Sequence, residues 1–225
     1  MQRKMSIKSK SIVATLLISL MAGCSTLGTQ NSGDEKKKKI AEINIELGMG
    51  YLEQKDVQRA KQKFLAALES DASLPETQYS MAYFFEVTGN TEQANVYYLK
   101  AISLAPKRGD TQNNYGTYLC RIGDYRNSVE HFKTAVLDPN YLDMAGAYEN
   151  AGLCALKIPD MNQALNYFNH AILQDANRPV SLMNAAELEF KKGNYAAARQ
   201  RLNEYLLVAP ATRQTDGLAA RLRRR

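Results

Sequence analysis

A chain of 225 residues holds one long domain or two small ones. With 45% hydrophobic residues and no tryptophan, it can bury a core without having the composition of a membrane protein. The net charge of +6 raises the question of an anionic partner. Arg3, Lys4, Lys8, Lys10 and the run Lys36 to Lys39 supply much of it, and from Ile40 onward 21 Lys and Arg face 21 Asp and Glu. That balance argues against a nucleic-acid binder, which needs a concentrated basic face.

In chain order, the first element is a signal. A basic region (Arg3 to Lys10) precedes an apolar run from Ile12 to Met21. At about ten residues the run is too short to cross roughly 30 Å of hydrocarbon as a helix, and it reads as the apolar core of a signal peptide over 1–23. Leu20-Met21-Ala22-Gly23-Cys24 resembles a bacterial lipobox. That resemblance implies a diacylglyceryl thioether, and with it palmitate, on Cys24 of the mature chain. Ser25 in place of Asp after the lipidated cysteine implies the outer membrane, with the protein facing the periplasm. Residues 24–39 are small, polar and charged without apolar periodicity, so a flexible tether is expected there.

Beyond Ile40 the apolar pattern is helical, and it repeats. Ala60, Ala94, Ser128, Ala164 and Ala198 align at intervals of 34, 34, 36 and 34 residues. Four positions later come Phe64, Tyr98, Phe132, Phe168 and Leu202, and seven later Ala67, Ala101, Ala135, Ala171 and Tyr205. Twelve positions earlier stand Gly48, Ala82, Gly116, Gly152 and Ala186. Gly89, Gly123 and Gly193 punctuate three of the turns, with Lys55 and Pro159 in the others; Pro106 and Pro210 close two repeats. The pattern resembles the tetratricopeptide repeat, a helix A–turn–helix B unit. The expected fold is therefore all-α, a right-handed superhelix of five such repeats over 40–210. Residues 211–225 read as a partial sixth repeat or a capping helix. The small residue at the Gly116 position predicts a close approach of helix A to helix B, offsetting the roughly 1 kcal/mol that glycine costs a helix relative to alanine.

Catalytic chemistry has no foothold in this sequence. His131 and His170 lack metal-ligand spacing, and no zincin, nucleophile-elbow, phosphate-loop or Cys-x-x-Cys motif is present. The chain is expected to be a non-enzyme without cofactor, metal or small-molecule substrate. What remains is a binding surface. The concave face of such a superhelix, lined by helix A, would comprise Ile45, Met49, Leu52, Tyr79, Tyr83, Glu86, Asn113, Thr117, Arg121, Glu149, Leu153, Lys157, Met183, Glu187 and Phe190, flanked by Glu42 and Lys191. Aromatic and methionine residues on a groove favour protein contacts. The alternative for several of them is packing against loops or the C-terminal helix.

Cys120 and Cys154 are one repeat length apart, 34 residues, on consecutive A helices. Two extra residues near Asp138-Pro139-Asn140-Tyr141 shift the register between them, so spacing alone leaves open two free thiols or a bridge. The segments NNYGTYLC (113–120), RIGDY, AVLDPNY (135–141) and ENAGLCAL (149–156) resemble the PilF/PilW-type pilus biogenesis lipoproteins, which carry a lipobox, tetratricopeptide repeats and a cysteine in each corresponding segment. The resemblance implies a Cys120–Cys154 disulfide. It also implies a role as adaptor or pilotin for the type IV pilus secretin, held at the outer membrane, with a secretin segment in the groove. That family usually completes a sixth repeat. The alternative is another periplasmic repeat lipoprotein that scaffolds outer-membrane protein assembly or a peptidoglycan enzyme.

Overall fold

The computed structural model describes residues 27–225, and their side chains from residue 32 on; Cys24 and the expected signal peptide lie outside the described residues. The described chain is all-α. Its helices are α1 (Leu27–Glu53), α2 (Val57–Ser70), α3 (Pro75–Val87), α4 (Thr91–Leu104), α5 (Gly109–Arg121), α6 (Tyr125–Ala135), α7 (Met144–Ala155), α8 (Met161–Gln174), α9 (Pro179–Lys191), α10 (Tyr195–Val208) and α11 (Arg213–Arg223). Consecutive helices pair as A and B of five repeats, each A helix also packs on the pair before it, and the pairs stack into a right-handed superhelix.

The repeat register decides the core. Ala60, Phe64 and Ala67 of α2 are fully buried, as are Ala94, Tyr98 and Ala101 of α4, Phe132 and Ala135 of α6, and Ala164, Phe168 and Ala171 of α8. Helix A meets the ring through its small residue. A Cβ on Gly48 would lie 2.4 Å from Phe64, and one on Gly152 2.7 Å from Phe168. At Gly116 the clearance is greater, 3.0 Å to Phe132 and 3.1 Å to the Ser128 carbonyl. Where helix A carries alanine, at Ala82 and Ala186, the facing residue is Tyr98 or Leu202 instead of phenylalanine. The two positions therefore act as one matched pair in each repeat.

Each B helix starts at Asp or Asn: Asp56, Asn90, Asp124, Asp160 and Asn194. Three of these side chains accept from the first-turn amides: Asp56 from Arg59, Asn90 from Gln93, and Asp160 from Asn162 and Gln163. Such a cap satisfies amides that have no intrahelical partner. The turn before the cap needs a left-handed residue. Gly89, Gly123 and Gly193 provide it at φ 83°, 92° and 82°, but the first repeat uses Lys55 at φ 62°. Only glycine visits this region without a steric cost. Lys55→Gly is therefore expected to raise stability by about 0.5–1 kcal/mol, read as a higher urea midpoint at unchanged slope.

Three features depart from the sequence expectations or go beyond them. The expected tether is helical from Leu27, as the start of α1. The extension carries local pairs, Lys37 with Asp34 at 3.5 Å and Lys38 with Glu42 at 3.9 Å, and its side chains from Gly33 to Lys39 are exposed. It remains a spacer, now about 20 Å of helix at 1.5 Å per residue. Second, the two-residue insertion folds back on the start of α5. Asp138 Oδ2 accepts from the Gly109 amide at 2.8 Å, and the Tyr141 side chain occupies the space a Cβ of Gly109 would need. Third, α11 docks: Thr215, Leu218 and Leu222 are buried, with Leu218 and Leu222 in one cluster with Leu182, Met183, Leu202 and Tyr205 of α9 and α10. A capping box at Thr212 and Thr215 starts this helix.

Candidate protein-binding groove

The residues expected to line the groove sit on α1, α3, α5, α7 and α9, and the structure divides them into three groups. Some belong to the core. Met49 and Leu52 are half-buried and pack on the cluster of Ala60, Phe64, Met81 and Phe84. Met183, only 6% exposed, is covered in the cluster that α11 completes. It cannot line an open groove, so that expectation is corrected. Phe190 is half-buried beneath the Arg221 guanidinium of α11, 4.7 Å from its ring centre.

A second group ties repeat to repeat. Glu86 Oε2 accepts from the Tyr98 hydroxyl at 2.7 Å and from Arg121 Nη2 at 2.8 Å, joining repeats two and three. Burial, reinforced by this carboxylate, holds the Tyr98 hydroxyl well above its ordinary pKa. Burial also raises Tyr79, whose ring stacks on Tyr83 at 6.3 Å. Asn150 Nδ2 donates to Asn113 Oδ1 at 3.1 Å, joining α7 to α5. Glu149 Oε2 accepts from the Ser181 amide at 3.1 Å and its hydroxyl at 2.7 Å, with Arg178 3.6 Å from its other oxygen. Glu187 pairs with Arg221 at 2.5 Å. The carboxylates of the groove thus serve as a ladder along the stack. Sequence spacing reveals only part of this: Glu187 and Arg221 are 34 residues apart, one repeat length, but Glu86 and Arg121 are 35 apart and Glu149 and Ser181 are 32 apart.

The third group is left for a ligand. Tyr83, Thr117 and Leu153 stand one residue after Ala82, Gly116 and Gly152, so they share one position in successive repeats. Tyr83 and Thr117 are half-exposed and Leu153 is 39% exposed. Lys157 is exposed in the turn after α7, and Ile45 is half-exposed on α1. A row with a ring, a hydroxyl and an isobutyl group suits an apolar or amphipathic polypeptide more than an acidic tail.

The Sγ atoms of Cys120 and Cys154 are joined, with Cα atoms 5.8 Å apart. Cys120 stands four residues after Gly116 and Cys154 two after Gly152. The bridge therefore connects different repeat positions, and the difference equals the length of the insertion.

Neither histidine forms a metal site, and no group of three or more potential metal ligands occurs among the described residues. His131 Nδ1 lies 2.6 Å from Gln112 Oε1, while Gln112 Nε2 donates to the Pro106 carbonyl at 2.5 Å. With the amide so oriented, Nδ1 carries the proton and donates. Burial holds the imidazole below its ordinary pKa, against weaker opposing pulls from Asp124 and Glu130. Below the ordinary value of about 6.5, the unfolded chain binds a proton that the fold resists, so stability falls with pH in this window. Melting temperature is expected to drop between pH 7.5 and 5.5, and His131→Gln to flatten that slope.

The tetratricopeptide repeat family matches residues 75–108, which span α3 and α4. Along 193 residues the chain is 28% identical to the type IV pilus assembly protein PilF of Pseudomonas aeruginosa, covering 85% of this chain and 77% of that one. An uncharacterized protein of Haemophilus influenzae is 29% identical over 154 residues, 68% of this chain and 84% of the other. The structure of P. aeruginosa PilF superposes with a TM-score of 0.77 at 26% identity, covering 84% of this chain and 85% of that one. PilW, a type IV pilus biogenesis factor, shares the fold at a TM-score of 0.70 and 22% identity, over 82% and 85% of the two chains. Among the described residues no helix is long and apolar enough to cross a membrane. The chain is a tetratricopeptide-repeat superhelix that resembles the PilF/PilW-type proteins over most of its length.

Proposed function

We propose that this chain is a non-enzymatic type IV pilus biogenesis protein, a lipoprotein held at the outer membrane through Cys24 that grips a segment of the secretin and aids its assembly or localisation. The observation that supports it is the similarity to PilF along 85% of the chain. The row of Tyr83, Thr117 and Leu153 is the proposed contact surface. Two or three acyl chains would give a stable anchor where one would not, and the helical start of α1 would link that anchor to the repeats.

Two measurements separate the parts of this reading. Cys24→Ala is expected to abolish palmitate labelling and to leave the protein removable from membranes by high salt, which the lipidated chain resists; a wild-type protein without label would refute the anchor. Tyr83→Ala combined with Leu153→Ala is expected to weaken secretin binding by tenfold or more, as loss of interface anchors does, at an unchanged melting temperature. Undiminished binding would place the contact elsewhere.

A further inference from the structure

The neutral total of the folded part conceals a segregation of charge. Residues 40–190 carry 12 Lys and Arg against 19 Asp and Glu, whereas residues 191–225 carry nine against two. Five of these cations, Lys191, Lys192 and Arg223 to Arg225, gather around the end of α11. Arg221 lies over Phe190, Arg225 lies 5.7 Å over Tyr195, and Arg199 Nη2 donates to the Leu222 carbonyl at 2.7 Å. These contacts hold the end of α11 against the α9–α10 turn, so exposed Arg223 to Arg225 sit beside exposed Lys191 and Lys192. The edge of the stack formed by the A-to-B turns continues this surface. It presents Lys157 and two apolar side chains, Met161 at 51% exposure and Ile122 at 49%. Of the carboxylates at these turns, Asp56 caps α2 and pairs with Arg59, Asp160 caps α8, Asp124 accepts from Asn127 and Glu189 from Asn194, and Glu92 is exposed.

We propose that this edge lies against an anionic phospholipid surface. The cations are spread over successive turns instead of converging on one cleft, so a plane of headgroups meets them all at once. Aliphatic side chains interleaved with Lys and Arg suit the boundary between headgroups and acyl chains. The acidic excess of residues 40–190 repels an anionic plane in other orientations, leaving this edge as the one that approaches. The proposal depends neither on the pilus reading nor on the lipid at Cys24. Its consequence is orientation: the stack would rest on the membrane by its turn edge, with the concave row facing sideways.

The test uses the full chain carrying Cys24→Ala, so that no covalent lipid contributes, and vesicles of phosphatidylcholine with or without about 30% phosphatidylglycerol. Binding is expected only to the anionic vesicles and is lost at about 0.5 M salt, where screening is nearly complete. Each cation near such a surface contributes about fivefold. Arg223→Glu with Arg224→Glu should therefore weaken binding about 25-fold, with an unchanged melting temperature. Lys191→Glu with Lys192→Glu is the second variant, for use if the first alters the fold. Lys36 to Lys39 are unchanged in all of these variants, so they cancel from the comparison. Equal binding to both vesicle types, wild-type binding by the charge-reversed chains, or association with polyglutamate but not with vesicles would each overturn the proposal.

Discussion

Reduction of the Cys120–Cys154 bridge is expected to lower stability by about 4 kcal/mol, the chain-entropy value for a loop of roughly 35 residues. The bridge joins α5 to α7 with Cα atoms 5.8 Å apart, beside the one repeat junction that the insertion at Asp138 to Tyr141 interrupts. In a fold of this size the loss corresponds to a drop of about 10 °C in melting temperature. Cys120→Ser with Cys154→Ser should match the reduced wild type, since both remove the same constraint on the unfolded chain. Alkylation of denatured, unreduced protein made in the periplasm should leave both thiols unmodified. Two free thiols there, or a melting temperature indifferent to reductant, would refute the bridge.

Gly48→Leu is expected to cost about 3 kcal/mol, at the upper end of ordinary overpacking, because even its Cβ would fall 2.4 Å from the Phe64 ring. The ring is fully buried, so α1 and α2 must separate or the ring must shift within the core. Gly116→Ala is expected to be much milder. Its Cβ would meet Phe132 at 3.0 Å, and the helix-propensity gain of up to about 1 kcal/mol offsets a shift of a few tenths of an ångström. Combining Gly48→Ala with Phe64→Leu recreates the Ala186–Leu202 pairing. It should cost less than the two single changes added together, a coupling that urea titrations of the four chains would measure. Additive losses would mean that the two positions are not a matched pair.

The repeat register was legible because it rests on residue volume at fixed intervals. Gly48, Phe64 and Ala67, and their counterparts 34 or 36 residues on, announce a helix contact without reference to any other repeat. The groove was legible only in part. Which helix A positions face inward follows from periodicity, but Glu86, Glu149 and Glu187 look alike as solvated acids in the sequence. Arg121 and Ser181 lie 35 and 32 residues from their glutamates, selected by the lateral offset between stacked repeats, whereas Arg221 keeps the 34-residue spacing on a helix whose docking the repeat does not announce. Met183 was misplaced for a related reason: its burial depends on α11, whose docking rests on only Thr215, Leu218 and Leu222. The helical start of α1 was missed because Gly33 to Lys39 offer no apolar stripe. It is held by local pairs and by continuity with a helix that packs further on. The charge segregation escaped notice because the whole array sums to zero.

The most direct test of the proposed function is the amount of SDS-resistant secretin multimer in cells lacking this protein, with wild-type and Cys24→Ala chains supplied back. The account predicts that multimers disappear in the deletion, return with the wild type, and return incompletely or at the wrong membrane with Cys24→Ala. Undiminished multimers at the outer membrane of the deletion strain would contradict it.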